Sequence, residues 1–321
     1  MVNSALSSGK KLFISLLLFT FAFSLFTTQL RSSPIYNHSK KDTIIVKDGF
    51  EKERLSAIWK NALVTRISKE QLDSFSQLRR EIVAGEIAWK KLIESKSRYW
   101  NSFRDSLAIP FSNLKLPDTI PVLLGLFGSD DGFTYGSQTV CLDLTALQTA
   151  YGSASLPENN NRIDRIFAHE YTHLLHKAWK QQHNLSLANF RDSILWECLY
   201  EGIGMYRSLN PKWIPIHGEL PELSKKSLDN LYPVFVDRLI TIEQNSLLTT
   251  EEKEQLNKNL SRGNVNQKWG AFPVAIWLSL VADSDDEKLQ NWVNKGPVAV
   301  IELAKKYLPA ELNQKFSAVF K

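Results

Sequence analysis

The stretch 158-ENNNRIDRIFAHEYTHLLHKAWKQQ-182 holds three of the chain's six histidines within the eight residues 169-HEYTHLLH-176. Its opening asparagines suit helix capping, and the run behind them reads as a helix. Residues four apart on a helix share a face, so His169 and His173 can aim two imidazoles at one point. Two of a zinc ion's protein ligands need that arrangement. Glu170 lies about 100° around the helix, close enough to act as a general base without taking a coordination position. The bland alternative is a helix with incidental polar residues.

Working outward, 121-PVLLGLFGSDDGFTYGSQTVCLDL-144 contains two short β-like runs joined by a turn-rich connection, which predicts a small sheet ahead of the motif helix. Asp130-Asp131 in that connection reads as a solvated turn, since it lacks the regularly spaced oxygens of a calcium loop. Residues 31–48 read as a polar lead-in. From Glu51 to about Leu107 the apolar residues Phe75, Leu78, Ile82, Trp89, Leu92, Phe103 and Leu107 recur at helical steps. After the motif helix comes a polar turn at 183-HNLS-186, then a second helical stretch from about Leu187 to Tyr206. Pro211, Pro215 and Pro221 break the chain, and helical pattern resumes to Lys321 with stops at Gly263, Gly270, Gly296-Pro297 and Pro309. The expected class is α+β, predominantly α-helical.

A third ligand must come from elsewhere. The metzincin spacing asks for glycine and histidine where this chain has His176 and Trp179, so it fails. His176, one turn beyond the ligands, reads as a solvated or supporting histidine. The stretch 195-LWECLYEGIGMYRS-208 offers Glu197 and Glu201, four apart and both able to face the motif helix. Geometry alone does not choose between them; Gly202, with no side chain, favours a close helix approach beside Glu201.

Here the sequence resembles the gluzincin metallopeptidases, and among them bacterial families described only as predicted zinc-dependent proteases. The resemblance runs over about 120–207. It rests on the His-Glu-Tyr-x-His helix, the strand before it and the Glu201-Gly202 pair. It implies a zincin-like core with His169, His173 and Glu201 as zinc ligands and Glu170 as base. Together with the pattern along the chain it gives four expected regions: 1–30, a signal peptide or membrane anchor; an N-terminal helical region 31–115; the zincin-like core 116–210; and a C-terminal helical region 211–321 packed on the core. Two departures stand out. Trp269-Gly270 replaces a Gly-Tyr turn that could donate to an oxyanion, and Met205 stands where some gluzincins place a carboxylate. Tyr200, Tyr206 and Arg262 are the remaining candidate donors.

The bulk composition fits a globular protein, with 43% hydrophobic and 23% charged residues. A net charge of +5 with scattered lysines and no basic stripe argues against nucleic acid, so no nucleic-acid partner is expected. Lys10-Lys11 ahead of 12-LFISLLLFTFAFSLFTT-28 form the basic and apolar parts of an export signal. The signal is either cleaved or kept as a membrane anchor through residues 12–30. Either reading exports the remainder. Cys141 and Cys198 read as buried thiols rather than a disulfide. The function expected is an exported zinc-dependent peptidase acting on a peptide or protein substrate. The alternative is a non-catalytic zinc-binding module of the same fold, acting in binding or regulation at the cell envelope.

Overall fold

The structure is a computed structural model, and it describes residues 43–51, 54–77, 81–114 and 117–321. The expectations for residues 1–30, for the first part of the lead-in and for Leu78 lie outside these. No helix among the described residues is long and apolar enough to cross a membrane.

In chain order the elements are β1 (Thr43–Asp48), β2 (Phe50–Glu51), β3 (Arg54–Leu55), α1 (Ala57–Leu63), α2 (Lys69–Gln77) and α3 (Ala84–Ala108). Then come β4 (Thr119–Gly125), β5 (Gly132–Tyr135), β6 (Thr139–Asp143), α4 (Leu144–Tyr151), the motif helix α5 (Pro157–Gln182) and α6 (Phe190–Ser208). The C-terminal part adds α7 (Glu222–Gln244), α8 (Thr250–Asn257), α9 (Ala271–Ala282), α10 (Gln290–Asn294), α11 (Val298–Tyr307) and α12 (Ala310–Val319). The class is α+β and mostly helical.

Three local expectations need correction. Residues 43–48 are not lead-in: the β-branched run 43-TIIV-46 forms β1, which pairs in parallel with β4 from Thr43↔Thr119 to Asp48↔Leu124. The helical region starts at Ala57, because Phe50–Leu55 turns back as the short β2–β3 hairpin. The capping asparagines do not cap. Leu156 occupies the N-cap and Pro157 the first turn, where its missing N–H costs nothing. Asn159 instead ties α5 backward, donating from Nδ2 to the carbonyls of Tyr151 (3.1 Å) and Ser153 (2.9 Å).

The sheet order is β1-β4-β6-β5, with β4 and β6 parallel and β5 antiparallel at the edge. The central strand β4 is buried on both faces, as a parallel strand covered on two sides must be. Side chains alternate between the faces. Leu123, Phe133 and Cys141 pack with Trp59 of α1, while Val122, Leu124, Val140 and Leu142 join the main core. On that main side α5 lies against α3, where Trp100 stacks on Phe167 at 4.1 Å and 5°. Cys198 sits in the main core and Cys141 in the smaller cluster; both are buried free thiols.

The β6–α4 junction fixes the far end of the sheet. Buried Asp143 caps α4 by accepting from the N–H groups of Thr145 and Ala146, and it also takes those of Phe127 and Gly128. Asp130 and Asp131 each have a side-chain partner. Asp130 pairs with Arg66 at 2.6 Å, and Asp131 accepts from the Tyr151 hydroxyl.

Candidate metal centre

α5 carries His169 and His173 one turn apart on the face turned to α6. Their Nε2 atoms lie 2.9 Å from each other. α6 returns antiparallel and places Glu201 between them, with Oε2 3.8 Å from His169 Nε2 and Oε1 3.6 Å from His173 Nε2. The three potential ligand atoms lie within 4.8 Å of one another, and among the described residues no other histidine, cysteine or acidic group forms such a cluster. Two imidazoles and one carboxylate make a zinc donor set with a position left open.

The close approach has a different cause from the one the sequence suggested. Gly202 faces away, toward α9: a Cβ there would lie 2.5 Å from Val274 Cγ1. Gly204 is the glycine that meets the histidines. A Cβ at that position would sit 2.8 Å from His173 Cε1 and 3.1 Å from His169 Cε1. The two glycines therefore let α6 pass tightly between α5 and α9.

The charges are arranged to suit a cation. Burial alone would raise the Glu201 carboxyl, but the charge of His173 and its hydrogen bond outweigh burial and hold it down to about 2. Burial, helped by the neighbouring His173, pushes His169 down to about 3 and so keeps it neutral. For His173 burial works downward too, yet the Glu201 charge and hydrogen bond win and raise it. Glu170, next to His169 in sequence, is buried, and burial lifts its carboxyl to about 7 despite the opposing pull of His173.

Glu170 borders the edge strand. A Cβ at Gly132 of β5 would lie 3.1 Å from Glu170 Cγ, so glycine there lets the strand run close to the helix. Two turns further along α5, Lys177 Nζ donates to Thr134 Oγ1 of β5 at 2.6 Å. Lys268 and Lys177 are the lysines whose charges reach the ligands.

The remaining sequence candidates fall in different places. Glu197, one turn before Glu201, is held up by burial and by the Glu201 charge, beside Ser261 and Arg262. Arg262 itself is exposed. Tyr206 is engaged elsewhere, donating to Asp286 at 2.8 Å. Tyr200 lies against His173, ring on ring at 4.0 Å. His176 is not solvated: it is fully buried among Phe111, Trp179, Trp196 and Tyr200. Sequence reading missed Ser208, whose Oγ lies 3.1 Å from His169 Nδ1 and fills the orienting role expected of a carboxylate at 205. Its spacing of seven from Glu201, two turns along one face, was the available signal.

Set against protein-family models, curated proteins and solved structures, the chain has no match.

Proposed function

We propose that this chain is a zinc-dependent peptidase of gluzincin type with a zincin-like core. The observation that carries the reading is the convergence of His169, His173 and Glu201 within 4.8 Å, with Glu170 buried beside them at the sheet edge. His169, His173 and Glu201 would hold the ion. Zinc bound there supplies a Lewis acid and lowers the pKa of water. Glu170, one residue after the first ligand and outside the ligand set, takes a proton from water and returns it to the leaving amine. β5 has one side paired with β6, and its other side offers backbone N–H and C=O groups to an extended peptide. Gly132 on that strand brings such a peptide close to Glu170.

Glu170→Gln tests the assignment. The variant keeps about one zinc per chain while peptide cleavage, read against a mixed peptide library, falls by about a thousandfold. A zinc-loaded variant that still cleaves removes Glu170 as base. Zinc in the unaltered protein without any cleavage favours the binding-module reading instead, and absence of zinc binding sinks both. We infer also that the basic-then-apolar segment to residue 30 exports the chain. Recovery of the intact chain, with that segment, as a soluble cytoplasmic protein on fractionation would remove this inference.

A further inference from the structure

A histidine ligand is normally oriented by its second ring nitrogen, which donates to a carboxylate, carbonyl or water. His169 follows the rule through Ser208. His173 does not: its Nδ1 is buried and has no hydrogen-bond partner. Something else must fix that ring. Tyr200 lies flat against it, with centroids 4.0 Å apart and planes 11° from parallel. The His169 ring meets it edge-on at 4.5 Å and 88°. Gly204 closes the Cε1 side.

Tyr200 is itself immobilised from behind. It packs on His176 at 5.7 Å and on Trp196 at 5.9 Å, and Trp196 stacks in turn on Trp179. The hydroxyl points toward Thr134 of β5, so the ring face, not the polar end, is what His173 feels. Tyr200 also immediately precedes Glu201, so one residue step on α6 carries both the third ligand and the support of the second.

We propose that Tyr200 is a positioning residue that orients the His173 imidazole toward the metal by stacking, in place of the missing hydrogen bond. The inference rests on the metal-centre reading above but needs no peptidase activity. Its test is zinc affinity of the full chain, measured by competition with a chelating dye. Tyr200→Leu removes the flat face and weakens zinc binding by about tenfold or more, the usual effect of losing an orienting partner. Tyr200→Phe keeps the face and binds zinc as the unaltered protein does. A folded Tyr200→Leu of unchanged affinity overturns the proposal, as does a Tyr200→Phe that loses as much as Tyr200→Leu. Should the leucine variant not fold, the ring protons of His173 in the unaltered protein decide. Upfield displacement by the Tyr200 ring both without and with zinc supports stacking, and its disappearance on zinc binding overturns it. Failure of the unaltered protein to bind zinc at all would defeat the metal centre itself, a separate result.

Discussion

Glu197 and Glu201 stand one turn apart on α6, and their chemistry diverges because of what surrounds them. Glu201 faces two imidazoles and is held ionised, whereas burial beside Glu201 raises Glu197. Glu201→Gln is expected to weaken zinc binding by at least a hundredfold, while Glu197→Gln leaves one zinc per chain; metal analysis after dialysis distinguishes the two. Gly204→Ala should damage the site without touching a ligand, because the added methyl would lie 2.8 Å from His173 Cε1. The expected outcome is a zinc affinity lowered tenfold or more in a chain whose helical circular dichroism is unchanged. At this scale the sequence was informative where chemistry is local. The i, i+4 histidines and the glutamate between them are a short-range pattern. Which glycine of 202-GIGM-205 meets the histidines was not legible, since it depends on the rotation of α6 between two helices.

α5 and α6 were legible as elements because each keeps a long helical pattern, α5 over 26 residues and α6 over 19. The sheet was less so. Its first strand pairs with residues far along the chain, and a parallel partner leaves no signature in the strand's own neighbourhood. The junction between sheet and helices makes its own prediction. Asp143 alone accepts four N–H groups, from Phe127, Gly128, Thr145 and Ala146. Asp143→Ala strands all four and removes the α4 cap, so denaturant unfolding should show a loss of roughly 3 kcal/mol. Asp143→Asn, which keeps one acceptor oxygen, should lose clearly less.

Across the whole molecule, the described residues from 43 onward group as one compact unit, and the proposed ligands His169, His173 and Glu201 sit on two neighbouring helices, α5 and α6. If zinc binds there as proposed, and binds the folded chain alone, it raises the chain's stability. At free zinc one hundred times the dissociation constant the gain is about 2.7 kcal/mol, and stripping with a chelator should lower the melting temperature by several degrees. An unchanged melting curve on adding and removing zinc would speak against a site built as described. The packing of α6 has one more consequence. Gly202 lies against Val274 of α9, a helix with ten of its twelve residues buried, so α6 is packed between α5 and α9. If the metal centre is as proposed, contacts on α9 then bear on how firmly Glu201 is held against the two histidines. If the ion binds as proposed, its affinity should therefore respond to substitutions on α9 that touch none of the three donors.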